Sequence, residues 1–318
     1  MQTGCTRNSK SICRSPLRCS AGRQIQRGCF RVFSNIRRFL PKPLRDDSTV
    51  IPVVRLQGTI TTAGPLRPGL CLSAVAQPLE KAFSEKKAPA VALIVNSPGG
   101  SPVQSRLIFK RIRDLAKEKE KDVLVFVEDV AASGGYMISL AGDEIFVDPS
   151  SIVGSIGVVS AGFGFTELIG KIGVERRVYT AGEKKVILDP FQPEVPEDVE
   201  YLKGLQQEIH ETFVDLVKSR RGDVLADDPD LFSGKFWTGR SAIQLGLADA
   251  VGDVRSVLKE RYGEKAEPKL FSAPRGLFGR RAGLGLGPVH SGRSLTEGLG
   301  EDLISAVENR ALWMRYGL

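Results

Sequence analysis

Histidine is almost absent from this 318-residue sequence: His210 and His290 are its only two. His210 falls in a charged helical stretch and reads as a helix-surface residue, while His290 lies in a glycine-rich tail. A Ser-His-Asp triad needs an imidazole held against the nucleophile by packed structure, and neither position offers one. Cysteine is as scarce where it would matter. Four of the five cysteines (Cys5, Cys13, Cys19, Cys29) precede residue 46, which leaves Cys71 alone in the body. One thiol can neither staple a fold nor build a metal site, so the body reads as intracellular with a hydrophobic core. HExxH, cysteine clusters, Walker loops and a GxGxxG after a strand are all missing. Metal, nucleotide and dinucleotide chemistry therefore lack support, and no cofactor is expected. Long apolar runs are missing too. One of the two longest uncharged stretches, Pro149 to Thr166, has 18 residues, but Gly154, Gly157, Gly162 and Gly164 interrupt it, which suits strand and loop better than a membrane span.

Acidic residues are absent before Asp46, where nine arginines and two lysines accumulate +11 of charge. The other 34 basic residues face 37 acidic ones, a balance of −3 that excludes phosphate-backbone binding as a main role. No nucleic-acid partner is expected. The leader of residues 1–45 is rich in Arg and Ser and lacks a secretory apolar stretch, the composition of a mitochondrial transit peptide, with a plastid one as the alternative. The divisions expected are this leader, a body at 46–274, and a glycine-rich linker with a short helix at 275–318.

What is present is an alternation of strands and helices. Ala90–Val95 and Val123–Val127 are apolar runs that read as buried strands, and Ile51–Leu56, Glu144–Val147 and Arg177–Tyr179 read as further strands. Helical spacing covers 72–83, where Pro78 suits a kink or a later start. It also covers 103–119, the stretch after Ser133, 196–221, 238–245, 254–261 and 301–314. The 196–221 helix carries Leu202, Leu205, Ile209, Phe213, Leu216 and Val217 on one face, for a neighbouring subunit or for its own sheet. The pattern predicts an α/β fold with a largely parallel sheet.

Two glycine turns each follow a buried strand. Asn96-Ser97-Pro98-Gly99-Gly100 offers backbone N–H groups with no side chain in the way. Ser133-Gly134-Gly135 places a serine at a strand-to-helix turn, near the positive end of a helix dipole. Side by side, two such turns could hold an oxyanion. Taken by position alone, Ser133 could equally cap a helix.

Sequence around these turns resembles a known family. Asn96-Ser97-Pro98-Gly99-Gly100, Ala131-Ala132-Ser133-Gly134-Gly135-Tyr136 and Val153-Gly154-Ser155-Ile156-Gly157-Val158 are similar to successive motifs of the signal peptide peptidase A family, which includes SppA and SohB-type peptidases. Gly182-Glu183-Lys184-Lys185-Val186-Ile187-Leu188-Asp189-Pro190-Phe191 resembles its lysine-bearing segment. Thr238–Ala242 and Gly246–Asp249 match its closing signature, and the resemblance runs from about residue 50 to 262. It implies a ClpP/crotonase-like fold of repeated strand–helix units with a projecting helical part. It also implies a Ser/Lys dyad, which fits the want of histidine. By motif position Ser133 is the nucleophile and Lys185 the general base. Lys184 is the rival, and Ile187 and Pro190 select Lys185 by their spacing. Ser155 matches the serine that positions the lysine. Gly100 and Gly134 become the oxyanion donors, with Gly99 close behind Gly100. A charged ammonium cannot accept a proton, so such a base must be desolvated in the active form.

The family's membrane-anchoring helix is not evident, so peripheral membrane association through the leader or tail is the expected alternative. Shorter relatives form rings whose serine and lysine come from neighbouring subunits, which implies a homo-oligomer with a shared site. The implied substrates are signal-peptide remnants and other membrane-derived peptides. Two other functions fit the residues: an acyl-CoA enzyme of the crotonase type, and a catalytically inactive peptidase-like scaffold.

Overall fold

The computed structural model describes residues 48–62, 69–182, 184–272, 307 and 310–318. The leader, the glycine-rich stretch and much of the helix expected at 301–314 lie outside the described residues.

The apolar runs form the middle of the sheet. β1 (Val50–Gln57), β2 (Ala90–Ser97) and β3 (Asp122–Ala132) pair in parallel, Val53 opposite Ala92 and Val91 opposite Val123. β2 has no polar face because both of its faces are covered. Its alternate residues Val91, Leu93 and Val95 join one core with α1 (Leu72–Phe83), α2 (Pro102–Lys119), α3 (Gly134–Ser139) and the later part of α5 (Pro196–Arg221). Ala90 and Ala92 join the other, with Ile51, Phe126, Phe146 and the helix α7 (Val254–Tyr262). α1 starts at Leu72 and runs on through the buried Pro78.

β3 is long enough to serve two neighbours. Leu124–Val127 pair with β4 (Glu144–Val147), whereas Val130–Ala132 pair with β5 (Ile152–Gly154). The change of partner comes where the β2–β3 register shifts between Val95 and Ser97. Asn96 fills that shift: its amide nitrogen donates to Asp129 (2.6 Å) and its amide oxygen accepts from Val130 N (3.3 Å). β6 (Phe236–Thr238) adds to β5 in the antiparallel sense, and Thr238 then caps α6 (Gly239–Gln244). β7 (Ala250–Val251) extends β4, and β8 (Glu267–Leu270) closes the β1 edge.

The strand expected at Arg177–Tyr179 is not formed; Tyr179 is 90% exposed and the segment has no strand partner among the described residues. Three apolar-rich residues in sequence make a strand only where a sheet edge is in reach. The nearby helix α4 (Thr166–Lys171) is likewise without a buried residue. α5 does both things open to it. Phe213 and Val217 are buried, and Arg220 donates to the carbonyls of Leu140 and Gly142, clamping the far end of α3. Its first half leaves Tyr201, Leu205 and Ile209 exposed.

Tyr136 anchors α3 from below. It is fully buried and donates to the Leu247 carbonyl at 2.9 Å. Burial pushes its phenol above the ordinary 10.0, Asp249 adds to the rise, and Arg221 works against it. The folded value exceeds the unfolded one, so this contribution is complete below pH 10 and is lost as pH climbs toward the raised value. Tyr136→Phe should cost about 1–2 kcal/mol in urea denaturation at neutral pH, because the Leu247 carbonyl is orphaned. The variant's stability should also fall less steeply than wild type above pH 10.

Candidate active site

Ser133 follows the last residue of β3 and precedes α3, and its backbone sits at φ 52°, ψ −121°. A non-glycine residue holds such a conformation only where its surroundings enforce it. Two bonds do so here: Ser133 N donates to Gly154 O (2.8 Å), and Ser133 O accepts from Met137 N (3.0 Å). The side chain is thereby lifted off the sheet and remains partly exposed.

The Asn96–Gly100 turn lies against it. A β-carbon on Gly99 would come within 2.8 Å of Ser133 Cβ, and Gly99 itself has φ +102°. Gly100, at φ +137°, lies flat against the Ile60 backbone, which accepts from Ser101 N at 2.7 Å. A β-carbon on Gly134 would strike the Ser105 hydroxyl and lie 3.4 Å from Gly100 N. The two glycine turns are therefore in contact, as an oxyanion pocket requires. Among the described residues, no intramolecular acceptor takes the N–H of Gly100 or Gly134. Ser97, fully buried, ties the turn down by donating to Gly58 O (2.7 Å) and accepting from Gly99 N (3.2 Å).

Ser155 stands beside Ser133 because Ala132 pairs with Gly154, so each serine follows the last residue of its ladder. It too has positive φ, 54°, and its N–H donates to Lys235 O at 2.7 Å. It is buried, at 6% exposure. Both serines and Gly100 line one cleft of about 780 Å³, with α5 on one wall and Phe232–Gly234 on another.

The lysines are placed differently. Lys185 lies on the exposed segment between α4 and α5 and does not line the cleft. Lys184 reaches Asp198 at 2.7 Å. Within one chain the structure thus brings Ser133, Ser155, Gly100 and Gly134 together and leaves Lys185 apart. His210, expected on the helix surface, instead lines the cleft with Nε2 3.2 Å from Ile156 O. Its spacing on the helix gave no sign of this, because Val158 and Phe232, which complete the cleft, come from distant loops. Ser97 is the other residue whose role was hidden; a serine inside a turn motif reads as turn chemistry. Among the described residues no cluster of His, Cys, Asp or Glu could hold a metal.

The family model for Peptidase family S49 matches residues 115–266, the span that holds Ser133, Ser155 and both lysines. A Methanocaldococcus jannaschii protein whose name describes a protease is 35% identical over 231 residues, covering 71% of this chain and 70% of its own length. The chain belongs to peptidase family S49. Its α/β, mostly parallel sheet is the ClpP/crotonase-like fold of that family. An Arabidopsis thaliana relative, "Serine protease SPPA, chloroplastic", is 34% identical over 208 residues, 64% of this chain and 30% of its own. A Brucella abortus protein named "Na(+)/H(+) antiporter NhaA" is 61% identical over 287 residues, 89% of this chain. This chain spans only 39% of that protein's length. Among the described residues, no helix is long and apolar enough to cross a membrane.

Contact between the glycine turns gives a direct test. If Ser133 is a nucleophile and Gly134 an oxyanion donor, Gly134→Ala should slow reaction of Ser133 with a fluorophosphonate probe about 100-fold, the cost of misplacing a donor by about 1 Å. Adding Ser105→Ala, which removes the hydroxyl in the way, should recover part of the loss, with thermal melting confirming that both variants fold.

Proposed function

We propose that this S49 chain is a serine peptidase acting through an acyl-enzyme, with Ser133 as nucleophile and Lys185 as general base. The observation that carries the proposal is the position of Ser133, forced to positive φ at the mouth of a cleft between two glycine turns. Ser133 Oγ attacks the peptide carbonyl while its proton passes to the neutral amine of Lys185. The N–H groups of Gly100 and Gly134 receive the oxyanion. The C–N bond breaks as the lysine returns the proton to the leaving amine, and water then releases the acyl group by the same path.

Lys185 reaches the serine from a neighbouring copy, where burial between subunits would desolvate it. Support comes from the segment around it. Phe163 (81% exposed), Leu168, Ile172, Val174 and Tyr179 form an apolar stretch of the kind that marks a protein–protein contact. Ser155 then receives the lysine and holds it at Ser133. Substrates are peptides with apolar side chains, of which signal-peptide remnants are one class; Val158, Val159 and Phe232 line the cleft accordingly.

The test is complementation. Ser133→Ala and Lys185→Ala should each lower peptide hydrolysis and fluorophosphonate labelling by about 1000-fold, and Lys184→Ala should not. Mixing the two inactive variants under subunit exchange should restore about a quarter of wild-type activity if each site draws from two copies at random. Loss of activity without recovery, in an oligomer shown to exchange, would place serine and lysine in the same chain.

A further inference from the structure

Ser155 already has a partner in this chain, and it is not a lysine. The hydroxyl of Tyr316 lies 3.3 Å from Ser155 Oγ. Its ring meets Phe236 edge-on, with centroids 5.1 Å apart and planes at 71°. Leu312, Arg315 and Tyr316 line the same cleft as Ser133. Residues 310–314 are helical, and the chain then turns so that Tyr316 N and Leu318 N both donate to Trp313 O, at 3.0 and 3.3 Å. Gly317 makes that turn at φ +77°. The turn holds the tyrosine ring against β6 while the last two residues stay exposed.

We propose that residues 310–318 are a movable part of the cleft wall, and that Tyr316 takes the place on Ser155 that the general base needs. The proposal rests on the peptidase function and on Ser155 as the residue that receives the lysine. A serine hydroxyl has room for more than one hydrogen bond, but the Tyr316 ring, set against Phe236, takes up one side of Ser155. Arg315 adds a fixed positive charge to the cleft, against which a second cation would have to enter. The chain therefore has two exclusive arrangements. With the tail in, Tyr316 holds the Ser155 hydroxyl and Ser133 lacks its base. With the tail out, lysine and peptide can both enter. The subsite between Phe236 and Ser155 accepts an aromatic side chain bearing a hydrogen-bond donor.

The experiment compares the full chain, a chain ending at Asn309, Tyr316→Ala and Tyr316→Phe. Two readouts are taken: the rate of fluorophosphonate labelling of Ser133, and the fluorescence anisotropy of a labelled peptide of residues 310–318 added to the truncated chain. Truncation and Tyr316→Ala should each speed labelling about tenfold, which is what one aromatic pair and one ordinary hydrogen bond amount to. Tyr316→Phe should fall between. The peptide should bind the truncated chain, slow its labelling again, and bind less tightly to a Phe236→Leu variant. Equal labelling rates in all four chains, with no peptide binding, would overturn the proposal and leave the peptidase intact. Peptide binding without labelling of any chain would uphold the tail's site and overturn the peptidase function.

Discussion

The amide of Ser133 donates to the carbonyl of Gly154, one step beyond the last residues that β3 and β5 pair. That bond continues the ladder into a residue already committed to opening α3, and the two demands together leave Ser133 only a positive φ. Conformations of this kind cost about 1–3 kcal/mol at a non-glycine residue and survive where packing over-determines them. Ser155 repeats the pattern on the facing strand, where its amide donates to Lys235 O. Both hydroxyls are thus fixed by backbone, before any side-chain contact is counted. The glycines follow from the same geometry: with Ser133 lifted, its β-carbon occupies the space that a side chain at residue 99 would need.

How much of this could be read from the sequence depended on the length scale of each signal. Ala90–Val95 and Val123–Val127 declared themselves because a strand buried on both faces is apolar throughout. Ser133 was legible as a serine at a strand-to-helix turn, but its contact with the Asn96–Gly100 turn needed the β2–β3 pairing, some 35 residues apart. Strands of two to four residues, β5 to β8, carry too few positions for a period to show. The strand expected at Arg177–Tyr179 failed for the opposite reason: its composition was suitable, but the segment pairs with no strand among the described residues. His210 was misjudged because a helix face says nothing about which distant loop will cover it; Ile156 does.

A lysine suits a divided site better than a histidine would. An imidazole must be held in one tautomer and one orientation by a third group, which ties it to the fold that carries the nucleophile. An amine on a four-carbon stem is symmetric about its axis and can arrive from elsewhere, provided that its new surroundings exclude water. On the proposed scheme the isolated chain supplies everything that must be rigid. Both glycine turns and both serines hang on the parallel sheet, and the exposed 157–195 segment supplies the part that can travel.

A site divided as proposed has a consequence for control. A serine hydroxyl without a base is a weak nucleophile, so a chain that meets no partner would leave its neighbours' peptide bonds alone. On the proposed scheme that protection ends once subunits assemble, and assembly by itself cannot distinguish a substrate from an empty cleft. An occupant on Ser155 can, because a peptide that displaces Tyr316 also vacates the hydroxyl on which the lysine would settle. Substrate entry and completion of the dyad then become one equilibrium rather than two. Its midpoint is set by weak interactions alone, an edge-on ring pair and a 3.3 Å hydrogen bond, which is the strength range in which a peptide of modest affinity can tip a two-state cleft.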